Sequence, residues 1–262
     1  MSVRDIGLAK AFIEGNYDVF DRDTCDDPVK LQEGMRKEKF MAEKVIRRQF
    51  RGCLKEDTRE GTRLCMAAAE AEKEVRRLIQ SGRLLTASVY YHGNMCFLYY
   101  EALEEGVSPA DFLKPLEACL ELWPEEGGKT CWAPMYSIYW HSVPQDADSW
   151  MESRKGKKNR IGRIAFLYPE KMFSYTYWHQ AIVEEGLLKG DQYQFISLHE
   201  NILFSYFEEP KNMVNITGME KASEVIDKWL AVNPESHFDR EKAGGSNFII
   251  IEQLLSVAAG DD

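Results

Sequence analysis

The sequence has no run approaching the roughly 18 consecutive apolar residues that a membrane-spanning helix requires, and its start, Met1-Ser-Val-Arg-Asp-Ile, lacks a signal-peptide apolar core. A soluble, cytoplasmic protein is the expectation. CxxC pairs are missing as well. The six cysteines, Cys25, Cys53, Cys65, Cys96, Cys119 and Cys131, are dispersed, unlike a disulfide scaffold or a zinc site. The five histidines stand in no ligand spacing, so no metal is expected. Basic residues are not in excess: 33 Lys+Arg face 43 Asp+Glu, and the net charge of −10 opposes general attraction to nucleic acid or anionic lipid. What is present is core-forming material. With 44% apolar and 12% aromatic residues and nine prolines in 262, the chain reads as globular rather than disordered or fibrous.

The most informative pattern is an internal repeat. His92-Gly-Asn94-Met-Cys-Phe97-Leu-Tyr99-Tyr-Glu101 and His199-Glu-Asn201-Ile-Leu-Phe204-Ser-Tyr206-Phe-Glu208 share one motif at an offset of 199 − 92 = 107 residues. Apolar, β-rich runs precede both, and the two residues after each histidine are turn-like, so each reads as a β-hairpin whose histidine serves turn backbone groups. Helical patterns follow: Ser108-Pro109 through Leu120 before Trp123-Pro124-Glu125, and Ala222 to Val232 before Asn233-Pro234-Glu235. Strand-like runs, Cys131 to Trp140 and Phe248 to Leu255, close each copy. The second copy opens with a strand at Arg163 to Tyr168 and a helix at Lys171 to Glu185. The first has a helix at Thr58 to Gln80 and a candidate strand at Phe50 to Lys55. The order is βαββαβ, the ferredoxin-like unit.

This gives an α+β protein with an N-terminal helical extension at 1–49, a first ferredoxin-like copy at 50–144, a charged, solvated linker at 145–160 and a second copy at 161–258. One sheet face of each copy needs cover, which the other copy supplies. The expected product is a dimeric α/β barrel closed within one chain, a pseudo-dimer, with higher assembly left open.

Tyr175 and His179 lie four apart on the expected helix, hence on one face. Together they suit acid/base work, or plain packing against a sheet. From Ala165-Phe166 and Pro169 through Tyr175-x-x-x-His179-x-x-Ile182, Glu185, Leu203-Phe204-x-Tyr206-x-Glu208, Trp229, Asn233-Pro234-Glu235 and Glu252, the second copy resembles the L-rhamnose mutarotase family. That resemblance implies a cofactor-free 1-epimerase acting on a monosaccharide, with His179 and Tyr175 as catalytic residues. Where the family carries Trp-Pro-Glu-Leu, this chain has Val183-Glu184-Glu185-Gly186, and the first copy lacks the Tyr/His pair. Glu208 and Glu252, polar residues in apolar strands, are further candidates for binding substrate or orienting His179; Trp229 and Trp140 are candidates for stacking on it. Two other readings stand beside this one. One is a different dimeric α/β-barrel enzyme, a cofactor-free monooxygenase or a haem-dependent one; the other is a non-catalytic small-ligand binder.

Overall fold

The computed structural model describes residues 44–261 apart from 59–61, 126–127, 155, 157, 216 and 220. Residues 1–43, most of the expected helical extension, lie outside the described residues. The strands are β1 (Ile46–Cys53), β2 (Leu84–His92), β3 (Met95–Ala102), β4 (Trp123–Glu125), β5 (Gly128–Thr130), β6 (Ala133–Pro134), β7 (Tyr136–Trp140), β8 (Asn159–Phe166), β9 (Lys189–Asp191), β10 (Phe195–His199), β11 (Ile202–Glu209), β12 (Met213–Asn215), β13 (Ile249–Ile250) and β14 (Glu252–Ala258). The helices are α1 (Thr62–Gln80), α2 (Lys114–Glu117), α3 (Ala147–Glu152), α4 (Met172–Glu185) and α5 (Glu224–Ala231).

Both hairpins form as the repeat predicts. Their two-residue turns use the left-handed region, at Gly93 (φ 59°) and Glu200 (φ 54°), whose twist matches that of the flanking strands. Helix α1 buries Leu64, Ala68, Ala71, Val75 and Leu78, a stripe of alternating three- and four-residue steps that packs on the first sheet. Helix α4 ends at Gly186 in the left-handed conformation, whose N–H bonds the Ile182 carbonyl.

The first sheet runs β14-β2-β3-β1-β6 and the second β13-β8-β11-β10-β7. Each copy's closing strand is therefore split. Its first piece pairs within its own sheet, β6 on β1 and β13 on β8. Its second piece crosses over, β7 on β10 and β14 on β2. The exchange closes the two antiparallel sheets into one dimeric α/β barrel, with the helices outside. Edges that would otherwise present unpaired backbone groups are thereby covered.

Residues 107 apart meet inside the barrel. Phe97 stacks on Phe204 at 5.1 Å and Tyr99 on Tyr206 at 3.7 Å. Gly162 admits the Tyr90 ring, since a Cβ there would stand 2.7 Å from it. Glu101 and Glu208, both fully buried, grip one guanidinium, that of Arg154, at 2.8 Å each.

Four expectations need correction. Residues 145–160 do not read as a solvated linker in three dimensions: they contain α3, capped by Asp146, whose side chain accepts from the Ser149 N–H (2.7 Å), and they bury Arg154. The charge run hides two arginines, Arg154 and Arg160, whose carboxylate partners are distant in sequence. The first copy's opening strand starts at Ile46, so 46–49 belong to the barrel and not to the extension; the second copy's strand likewise starts at Asn159. The pattern at 108–120 forms one 3-10 turn (Pro109–Asp111) and the single-turn α2, because Pro115 has no N–H with which to continue a ladder begun at Pro109. Trp123-Pro124-Glu125 does not follow a helix stop but pairs with β5.

Candidate functional site

Alternation along the second sheet sorts its side chains by face. Phe204, Tyr206 and Glu208 of β11 point into the barrel, while Leu203, Ser205 and Phe207 face the helix layer; on β8, Ala165 and Arg163 do the same. Helices α4 and α5 cover this outer face, and Tyr175, His179 and Trp229 come together beneath them.

Tyr175 is 2% exposed and stacks on His179 with ring centroids 3.9 Å apart. Trp229 stands edge-on to both, at 5.7 and 5.5 Å, and Tyr139 approaches His179 edge-on at 5.8 Å. Phe238 closes the far side of Tyr175 at 5.6 Å. Burial lowers the pKa of His179 to about 4 and raises that of Tyr175, so at neutral pH the imidazole is uncharged and the phenol protonated.

Three histidines pack on this sheet, and hydrogen bonding separates their roles. His237 donates through Nδ1 to the Pro234 carbonyl (3.1 Å) and accepts from Ser174 at Nε2 (3.1 Å). His141 donates through Nε2 to the Val214 carbonyl (2.8 Å) and accepts from the Tyr139 hydroxyl at Nδ1 (2.8 Å). His179 donates through Nδ1 to the Tyr175 carbonyl (2.9 Å), and its Nε2 meets no partner among the described residues. That bond fixes the tautomer and leaves one basic lone pair available.

The other expected site residues lie elsewhere. Glu208 is on the opposite face of its strand, bound to Arg154 and to the Tyr206 hydroxyl (2.8 Å), so it neither faces the helix layer nor orients His179. Glu252 is exposed on the first sheet, where it accepts from the Tyr91 hydroxyl, because strand exchange carries β14 away from the second copy. Trp140 packs partly against the barrel core and lines a cleft of about 340 Å³ with Arg47, Ser142 and Phe195. A cleft of about 440 Å³ opens on the first half between Phe50, Tyr100, Val107, Pro109 and Trp132. Neither cleft is lined by Tyr175 or His179. His92 is exposed at its turn, whereas His199 meets Arg51 Nη1 (3.3 Å) through Nδ1 and Trp123 edge-on, joining the halves.

Sequence reasoning missed Arg163. Its guanidinium lies over the rings of Phe207 (5.1 Å) and Phe248 (4.1 Å), with Nε donating to Ser205 Oγ at 3.3 Å. The available signal was a cation inside an apolar strand at the same parity as Ala165. Among the described residues no cluster of three or more His, Cys, Asp or Glu could hold a metal, and no helix is long and apolar enough to cross a membrane.

No family model matches the sequence, and no curated protein matches it. Solved structures with a related chain path include a protein provisionally called a monooxygenase from Lactobacillus acidophilus NCFM, at 9% identity and a TM-score of 0.40, covering 83% of this chain and 98% of that one. An anthrone oxidase-like protein (7% identity, TM-score 0.30, 84% and 95% coverage) and a mutant chlorite dismutase from Candidatus Nitrospira defluvii (14%, 0.32, 83% and 96%) are similar in the same way. Likeness at this level says nothing about ligand or chemistry.

Proposed function

We propose that the second half of the barrel binds a small molecule beneath α4 and α5 and moves a proton on it, with His179 as base and Tyr175 as acid. The observation that supports this most directly is the Nε2 lone pair of His179, left without a partner while the two neighbouring histidines are satisfied at both nitrogens. A monosaccharide is the first substrate to test, given the Tyr175/His179/Trp229 pattern. In 1-epimerisation, Nε2 takes the proton of the anomeric hydroxyl while the phenol protonates the ring oxygen. The bond from the anomeric carbon to that oxygen breaks, giving the open-chain aldehyde. Closure on the other face returns both protons, so no cofactor is consumed. Ring opening leaves an imidazolium stacked on a phenolate, and closure returns both to their neutral forms; the raised pKa of Tyr175 and the lowered pKa of His179 keep that charged pair short-lived.

His179→Gln is expected to slow anomer exchange of L-rhamnose, read by saturation-transfer NMR, by about 10²–10⁴-fold while the fold is retained. Sugar binding without acceleration by the wild type would favour a non-catalytic ligand protein. A second reading, a cofactor-free oxygenase, uses the same base to deprotonate an acidic aromatic substrate; the rings of Tyr175, Trp229 and Tyr139 around His179 favour it, and oxygen uptake on a phenolic substrate tests it.

A further inference from the structure

Arg163 takes no part in that proton transfer, and among the described residues only the Phe207 and Phe248 rings and the Ser205 hydroxyl meet its charge. Other arginines with little-exposed side chains each have a carboxylate: Arg47 has Glu101 at 3.9 Å, Arg51 has Glu200 at 2.7 Å, Arg154 has Glu101 and Glu208 at 2.8 Å, and Arg160 has Asp261 at 2.7 Å. Arg163 has none within reach among the described residues. Burial lowers its pKa, and the Tyr175 hydroxyl is the one group that offsets this. A desolvated, unpaired charge is costly to keep.

The first half supplies an internal control. Strand register places Arg163 opposite Ser205 and Phe50 opposite Leu98, and the 107-residue offset makes Leu98 the equivalent of Ser205. The same register equates Tyr100 with Phe207, and Trp132 with Phe248. At the position of Arg163 the first half therefore holds Phe50, stacked on Tyr100 at 5.8 Å beside Trp132. The fold is satisfied by an aromatic ring where the second half keeps a guanidinium.

We propose that Arg163 is the anion-binding element of the second-half site, receiving the carboxylate or phosphate of an acidic small ligand whose remainder lies toward Tyr175 and His179. This rests on the small-ligand reading above and narrows its substrate class. With Phe207 and Phe248 over the guanidinium and Nε on Ser205, the free N–H groups are those of Nη1 and Nη2, which present the planar fork that matches an anion's oxygens.

The test is calorimetric titration and thermal melting with three probes: inorganic phosphate, a hexuronate and the neutral hexose of the same skeleton. At least one anion should bind ten or more times tighter than the hexose. Preference for the hexuronate identifies a carboxylated ligand and preference for phosphate a phosphorylated one; either supports the site. Arg163→Met should lose that binding by tenfold or more yet melt at or above the wild-type temperature, as Phe50 at the equivalent first-half position implies. Arg163→Lys should retain part of the binding. Binding of neither anion tighter than the hexose, no binding of either anion at 10 mM, or unchanged anion binding in Arg163→Met would overturn the proposal. Inorganic phosphate binding is read without any proton transfer, so loss of the anion site in Arg163→Met and loss of anomer exchange in His179→Gln are separate results.

Discussion

The two halves agree on the inside of the barrel and disagree on the outside. Facing inward, the repeat places the same residue types opposite one another, Phe97 with Phe204, Tyr99 with Tyr206 and Glu101 with Glu208. Facing outward, α1 packs an aliphatic stripe on the first sheet, whereas α4 and α5 lay Tyr175, His179 and Trp229 over the second, beside Arg163 and His237. The first half shows that this architecture closes its outer layer without a buried imidazole or guanidinium, on an aliphatic stripe with the Thr58 and Tyr100 hydroxyls bonded to backbone carbonyls. His179 and Arg163 in the same layer of the second half are therefore not requirements of the fold, which is what the proposed site accounts for.

The comparison breaks most severely at Arg154, the joining segment's contribution to an otherwise matched interior. Neighbouring arginines hold the pKa of Glu101 at about 2 against its burial, so both glutamates depend on cations they cannot exchange for water. Arg154→Met should cost about 3–5 kcal/mol in denaturant unfolding, because it leaves buried carboxylates uncompensated. Adding Glu101→Gln and Glu208→Gln should recover part of that loss. A cost below about 1 kcal/mol for the single change would mean that water reaches the centre of the barrel.

Acid should then separate the halves. His179, with its pKa at about 4, and His141 and His237, both lowered by burial, all pack on the second sheet. The unfolded chain binds these protons more readily than the folded one, so stability rises with pH through the interval from about 4 to 6.5 and is lost as pH falls through it. Glu101 behaves with the same sign at lower pH: its contribution is present above the ordinary carboxylate range and disappears only as pH falls toward about 2. Amide exchange measured from pH 7 to 4 should show α4 and α5 losing protection before β2 and β3. His179→Gln should flatten that dependence by removing one of the protons taken up. Equal loss of protection in both halves would show that these histidines do not set the acid response.

Much of this was legible locally. The hairpins follow from turn residues between apolar runs, and α1 and α4 from helical periodicity, so the βαββαβ order could be read directly in the second copy and only in part in the first, whose opening strand and second helix differ from the reading. The strand exchange could not, because nothing in Cys131 to Trp140 states which sheet its end will join; the change of partner occurs across Met135, between β6 and β7. Arg154 was misleading because a basic run ordinarily lies in solvent, and its partners are 53 and 54 residues away. The meeting of Tyr175, His179 and Trp229 was accessible from spacing and resemblance. Glu208 was misassigned although its parity with Phe204 and Tyr206 already placed it inside the barrel, and Glu252 moved with the exchanged strand.

The smallest effect concerns how each half starts its second helix. In the second half, Ser223 accepts the Ile226 N–H (2.9 Å) as the N-cap of α5 and donates to Glu185 at the end of α4, tying together the two helices that cover Tyr175 and His179. In the first half, the Ser108 hydroxyl donates to Asp111 at 3.0 Å, ahead of a turn that never becomes a long helix. A lost cap costs about 1 kcal/mol, and more when the same hydroxyl also links two elements. Ser223→Ala should therefore lower stability by about 1–2 kcal/mol and weaken ligand binding beneath α5, while Ser108→Ala should cost about 0.5 kcal/mol or less and leave binding unchanged, because Ser108 borders the first-half cleft instead. Equal effects of the two changes would remove the link drawn between the α4–α5 layer and the site, leaving Ser223 as an ordinary helix cap.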